Sequence, residues 1–132
     1  MVVITVSTSA RTEFVDVTQK VRKAVDAAGM STGLCILYVP HTTAAVTINE
    51  SADPSVRADI LKVMNDIVPW DANYRHLEGN SAAHIKTTLV GSSELVMVEK
   101  GRLVLGTWQG IFFCEFDGPR IRKLHVNFIP GQ

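Results

Sequence analysis

Ser93-Glu94-Leu95-Val96-Met97-Val98-Glu99, Lys100-Gly101, Arg102-Leu103-Val104-Leu105-Gly106, Thr107-Trp108, Gln109-Gly110-Ile111-Phe112-Phe113-Cys114-Glu115-Phe116, Asp117-Gly118 and then Arg120 to Phe128 make up most of the last third of the chain. Runs rich in Val, Ile, Leu and Phe are separated by Lys-Gly and Asp-Gly, the dipeptides that suit tight hairpin turns. The pattern predicts strands over 94–99, 102–106, 109–116 and 120–128. Adjacent hairpins make a mostly antiparallel sheet, which sets the fold class before the rest of the chain is considered.

Upstream the signals alternate. Residues 2–8 and 12–16 are rich in Val, Ile and Thr and predict two short strands with a turn near Ser9-Ala10-Arg11. Val17, Val21, Val25 and Ala28 then fall on one helical face, and Gly29 is a natural helix stop. Residues 33–39 are apolar on both faces, as in a buried strand, and 44–49 alternate. Asp53-Pro54 opens a second helix, because Asp caps free N–H groups and Pro fits the first turn. Its apolar stripe is Val56, Ile60, Val63, Met64 and Ile67, and Pro69 follows its end. Residues 70–80 have no period and predict a loop. A short helix is expected from Ser81 to Gly91. The result is an α+β domain of order ββαββααββββ.

At 132 residues this is one domain, 1–132, with room for a single core. The chain is 46% hydrophobic and 20% charged, which excludes intrinsic disorder. Thirteen basic residues balance thirteen acidic ones, which argues against a nucleic-acid binder working through bulk charge. Residues 27–49 lack charge, but Gly29, Gly33, Pro40 and His41 break the stretch, so no membrane span is expected. No secretory signal is visible, and the chain is expected in the cytoplasm. Cys35 and Cys114 lie inside apolar runs and are expected as buried, free thiols.

Three clusters could carry chemistry. His41, in Pro40-His41-Thr42-Thr43, ends the buried strand; its plain structural alternative is a histidine satisfied by the backbone. Tyr74 to Lys86 is the densest polar stretch. There Ser81 is expected to cap a helix whose free N–H groups attract an anion, with Arg75 and Lys86 adding charge and Asn80 nearby. Gly106-Thr107-Trp108-Gln109-Gly110 sets an aromatic and an amide between two glycines, where Trp108 could stack on a flat ring and Gln109 bond to it. Charged residues around the last turn, Glu115, Asp117, Arg120 and Arg122, are expected to be solvated. His125 is expected at a surface or interface.

His41, His76 and His84 are expected to converge, with Glu50, Glu78, Asn80 and Ser81 near them and Trp108-Gln109 as a wall, supplied by a neighbouring chain if the protein is oligomeric. Three imidazoles and an open position would suit a divalent metal, zinc or magnesium, with Glu50 or Glu78 as base. The same histidines could instead hold an anion or exchange protons.

Together the clusters resemble the YjbQ-like family. The residues that carry the likeness are Ser93 to Gly101, Gly106-Thr107-Trp108-Gln109-Gly110-Ile111, Pro40-His41-Thr42-Thr43-Ala44-Ala45, Asn49-Glu50, Arg75-His76 with Glu78-Gly79-Asn80-Ser81-Ala82-Ala83-His84, and Glu115 to Arg120. The resemblance implies a small α+β domain that assembles as a homotrimer. It also implies a secondary thiamine-phosphate synthase activity, joining a pyrimidine methyl diphosphate to a thiazole phosphate and releasing diphosphate. Arg75, Lys86 and Arg120 would then clamp the phosphorylated substrate, and Trp108 and Gln109 would hold the pyrimidine. Two other readings stand beside it: a metal-dependent hydrolase or lyase using the three histidines, and a non-enzymatic trimer that binds a small anion.

Overall fold

Gln109–Glu115 is buried on both faces from Gly110 onward, so something must cover each side of it. In the computed structural model, which describes residues 1–131, two different layers do so. The elements run β1 (Val2–Ser7), β2 (Glu13–Asp16), α1 (Thr18–Ala28), β3 (Gly33–Tyr38), β4 (Ala44–Glu50), α2 (Pro54–Ile67), α3 (Ser81–Val90), β5 (Ser93–Glu99), β6 (Arg102–Leu103), β7 (Gln109–Glu115) and β8 (Ile121–Pro130). The α+β class and the element order are those expected from the sequence. No helix among the described residues is long and apolar enough to cross a membrane.

Two antiparallel sheets form, in orders β1-β8-β3-β5-β6 and β2-β7-β4. Ile111 and Phe113 of β7 join Val6, Cys35, Leu37, Leu124 and Val126 in the core between the sheets. Phe112 and Cys114, one residue out of phase, join Phe14, Ala45, Ala83 and Phe116 in a second core beneath the helices α2 and α3. The layers are therefore sheet, sheet and helix. Both cysteines are buried and free, and burial pushes the Cys35 thiol up to about 11.

The structure departs from expectation at the strand ends. Asp117-Gly118 does not turn a hairpin, because β7 and β8 belong to different sheets. The chain crosses between them through Gly118-Pro119, a cis peptide. A Cβ at Gly118 would come within 2.7 Å of Glu115 Cγ and 2.9 Å of Thr8 Oγ1, so only glycine fits that crossing. Strand β6 is two residues long rather than five. Helix α2 starts as expected, with Asp53 accepting from the Ser55 N–H. Its stripe is only half used: Met64 and Ile60 pack on the second core, while Val63 and Ile67 are 55% and 66% exposed.

The charges expected in solvent around the last turn are instead partly the most buried in the protein. Glu115 and Arg122 are 0% and 2% exposed. Arg122 Nε donates to Glu115 Oε1 at 2.9 Å, and its Nη2 donates to Glu115 Oε2 at 2.5 Å, to the Thr43 carbonyl and to Thr43 Oγ1. Glu115 also accepts from Thr8 Oγ1 and from the N–H groups of Phe116 and Asp117. Strand alternation explains the error: Glu115 and Arg122 occupy inward positions on β7 and β8, where the sheets meet. Burial alone would raise the Glu115 carboxyl, but the Arg122, Asp117 and Thr8 hydrogen bonds outweigh it and hold the carboxyl below its ordinary range.

Arg122→Met should cost about 3–5 kcal/mol in urea unfolding, because it strands a buried carboxylate. Adding Glu115→Leu should recover much of that loss. A lowered carboxyl contributes stability above its ordinary value near 4.5 that fades as pH falls through the lowered one. That acid-side loss should be smaller in the double variant. Equal stabilities of wild type and Arg122→Met would contradict the account.

Candidate functional site

Strand β4 separates the expected site residues into two groups. Its first residue, Ala44, pairs with Glu115, and its last, Glu50, pairs with Gln109. Seven strand residues at about 3.3 Å each put those ends roughly 20 Å apart. Glu50, Trp108 and Gln109 lie at one end, and His41 lies just before the other. Within one chain Trp108-Gln109 is therefore not a wall for the histidines, and Glu50 is not their base.

The Trp108 end is a braced turn. Gln109 N–H donates to the Gly106 carbonyl at 3.1 Å, and Gln109 Oε1 accepts from Gly106 N–H at 2.8 Å. Ser51 N–H donates to the Trp108 carbonyl. A Cβ at Gly110 would stand 2.5 Å from Ser51 Cβ, which is why this strand position takes glycine. Trp108 itself is 63% exposed.

At the other end the chain passes from β3 to β4 through Pro40-His41-Thr42-Thr43. The outcome for His41 mixes the two alternatives. It faces a groove of about 450 Å³ shared with Thr42, His84, Thr87 and Ser92. It is also satisfied by the backbone, since its Nε2 accepts from the Lys123 N–H at 3.0 Å. Burial lowers its pKa first; Arg122, Arg120 and His125 add to the lowering and Glu115 opposes it. Neutral imidazole is thus favoured.

His76 and His84 do meet. Their rings lie 5.4 Å apart, edge to face. They line a groove of about 660 Å³ with Arg75, Tyr74 and Ser81. The preceding loop is held by Tyr74 Oη donating to the Pro69 carbonyl at 2.6 Å and by Gly79 N–H donating to the His76 carbonyl. His84 lines both grooves and so links His76 on one side to His41 on the other.

Several expected residues do other work. Asn80, not Ser81, is the N-cap of α3, and Ser81 is its first helical residue. Asn80 Nδ2 donates to Asp117 Oδ2, while its buried Oδ1 has no partner. Arg120 is tied to Asp117 by a 3.1 Å ion pair, within the crossing turn. Glu78 is exposed and lines neither groove. Lys86, expected to add charge to an anion site, is 2% exposed and points the other way, its Nζ donating to Asn65 Oδ1 at 2.6 Å. A residue two positions from His84 on a helix faces another side, so the two could not share a groove.

No three His, Cys, Asp or Glu side chains among the described residues are placed to hold one metal ion. At His41 the Nε2 lone pair is taken by the Lys123 N–H, and a neutral ring then carries its proton on Nδ1. The His76–His84 pair remains, two imidazoles rather than three. Thr87 was missed by sequence reasoning. It lines the His41 groove, and its buried hydroxyl has no partner. A helical threonine gives no sequence signal of that kind.

Comparison with known proteins places these residues in context. Residues 2–131 match the family model described as UPF0047 protein YjbQ-like. UPF0047 protein YugU of Bacillus subtilis (strain 168) is 48% identical over 125 residues, covering 94% of this chain and 95% of that protein. A UPF0047 protein of Methanocaldococcus jannaschii is 49% identical, covering 94% and 90%. The crystal structure of an uncharacterised YjbQ/UPF0047 protein from Clostridium acetobutylicum is 50% identical, with a TM-score of 0.96 over 98% of this chain and 100% of that one. A hypothetical protein from Aeropyrum pernix K1 has a TM-score of 0.93 at 39% identity, covering 98% and 97%. None of these names carries an activity.

The buried Lys86 gives a prediction. Burial, with a smaller effect from Arg11, lowers its pKa below 10.5. Between the lowered and ordinary values the unfolded chain binds more protons than the folded one, so stability should rise with pH there. Lys86→Met should remove that alkaline gain in urea midpoints across a pH series. An unchanged pH slope would contradict it.

Proposed function

This chain belongs to the UPF0047 YjbQ-like family, and we propose that it is a cytoplasmic homotrimeric transferase acting on small phosphorylated heteroaromatic substrates. The reaction proposed is the thiamine-phosphate-synthase type: a pyrimidine methyl diphosphate joins a thiazole phosphate and diphosphate leaves. The observation that carries this reading is His84 standing between two adjoining grooves, with Arg75 and His76 on one side and His41 on the other. Two compartments around one imidazole suit a transfer between two bound molecules. Arg75 offers a fork of donors to phosphate oxygens. In this reading His76 and His84 move a proton at the leaving group.

A divalent ion would serve here as the partner of a diphosphate, entering with it, since one chain offers the His76–His84 pair and not a three-histidine cage. The same point weighs against the hydrolase reading. Trp108 and Gln109 would act on the substrate ring only from a neighbouring subunit. The exposed outer face of the five-stranded sheet supports an assembly of that kind. Leu95 and Met97, facing away from the core, are 60% and 62% exposed and lie on strand β5 beside β3 residues Leu34 and Ile36. Such a continuous apolar face marks an interaction surface.

Incubation with the pyrimidine methyl diphosphate, the thiazole phosphate and magnesium should yield thiamine phosphate and diphosphate by chromatography. His84→Ala should lower the rate about a hundredfold or more, the scale of a lost acid–base group. Binding of both compounds without turnover would leave the non-enzymatic binding reading, and absence of binding would end both.

Light scattering at micromolar concentration should give the mass of three 14.4 kDa chains. Met97→Asp should drive the protein toward single chains. A monomeric wild type would refute the assembly.

A further inference from the structure

The groove of about 450 Å³ between β3 and α3 contains two polar groups whose state the surrounding protein leaves incomplete. The first is the Thr87 hydroxyl. Thr87 is 9% exposed, yet its Oγ1 has no hydrogen-bond partner, and such a buried group is costly to leave unpaired. Its neighbour Thr88 satisfies its own hydroxyl by donating to the His84 carbonyl at 2.9 Å, so the helix offers a back-bond that Thr87 does not take.

The second group is the His41 ring. A backbone N–H can only donate, so the 3.0 Å bond from Lys123 N–H fixes Nε2 as an acceptor. An imidazolium has donors on both nitrogens and would set donor against donor at Lys123. The neutral ring that remains carries its proton on Nδ1, and Nδ1 has no protein acceptor among the described residues. The alignment is enforced from behind. Lys123 and Arg122 are consecutive on β8 and point to opposite faces of the sheet. Arg122 grips the Thr43 carbonyl and hydroxyl, two residues beyond His41, from the inner face. The turn that carries His41 is thus held to β8 on both sides.

We propose that His41 is a neutral Nδ1–H donor and that, with the Thr87 hydroxyl, it forms a subsite for a phosphoryl or similar oxyanion oxygen of the substrate. This rests on the reading above that the grooves take phosphorylated compounds. It gives His41 a different role from His84: His41 binds and polarises an oxygen, and does not accept a proton or ligate a metal, because its one lone pair is spent on Lys123. A fixed donor facing an oxyanion needs no rearrangement when charge develops there.

Two measurements that need no turnover test the subsite. Histidine-labelled protein examined by ¹⁵N NMR should show His41 as the Nδ1–H tautomer; an Nε2–H tautomer would overturn the proposal. Calorimetric titration with pyrophosphate should then separate two variants. His41→Asn keeps an amide donor near the place of Nδ1 and should bind within a few-fold of wild type. His41→Gln, whose amide reaches the place of Nε2, should lose about tenfold or more, as should Thr87→Val, with Thr87→Ser restoring affinity. Equal behaviour of the Asn and Gln variants, or failure of the wild type to bind pyrophosphate, would overturn it. If the tautomer and the binding pattern hold while no thiamine phosphate forms, the proposed reaction fails and the oxyanion subsite stands.

Discussion

Glu115 and Arg122 lie where three crossings between the two sheets come together. Three of the passages from one sheet to the other, at residues 8–12, 39–43 and 116–120, each contribute a group to this ion pair or its surroundings. Thr8 donates to Glu115, Thr43 accepts from Arg122, and the Phe116 and Asp117 amides close the carboxylate. A salt bridge so deeply buried is not an efficient source of stability, since desolvation of both charges consumes most of the attraction. Its value lies in direction. An apolar pair would fill the same space without specifying which carbonyl or hydroxyl sits beside which strand.

The sites follow from that arrangement. The crossing at 39–43 carries His41, so the groove between β3 and α3 has one wall fixed by the sheet junction. The other wall is α3, whose Ala83 packs with Ala45, Phe112 and Cys114 of the three-stranded sheet and so seats the helix that carries His84 and Thr87. His76 comes from the loop before α3, and its ring rests against that of His84. The far end of β4 has its own rigidity, the Gly106–Gly110 turn, with the exposed Trp108 at its tip. One rigid sheet thus spaces two kinds of recognition element across the molecule.

The elements were legible because their signals are local. Asp53-Pro54 opens a helix wherever it falls, Gly29 ends one with φ of 63°, and the apolar run of β7 is that of a strand covered on both faces; β3 has a similar run but is covered on one face only, with Leu34 and Ile36 half-buried and Tyr38 exposed on the other. Their partners were not legible. Asp117-Gly118 has hairpin chemistry, and only the placement of β7 and β8 in different sheets makes it a crossing. Glu115 and Arg122 stand in a charged turn sequence, and only the pleat shows that both face inward. Lys86 has the spacing of a groove residue if the chain is read as a string, but it lies on another face of α3 from His84. The local reading found the His76–His84 meeting, which depends on one loop and one helix. It misplaced Trp108, Gln109 and Glu50, whose distance from His41 is set by the length of a strand.

The reach of the Glu115–Arg122 network along the chain has a consequence for how the protein folds. Thr8 and Glu115 are 107 residues apart, and Thr43 and Arg122 are 79 apart. A network of such high contact order is costly to form early in folding, because closing those loops must precede any gain from the contacts. Collapse of the strands before the network forms leaves a carboxylate and a guanidinium facing apolar surroundings. A slip of β7 by one residue would turn Glu115 toward the helix layer, away from Arg122, and leave its carboxylate among apolar side chains. Such a pairing is penalised by unmatched charge, which the native register relieves. In this fold the buried charge pair therefore disfavours compact arrangements that are apolar enough to persist but separate Glu115 from Arg122.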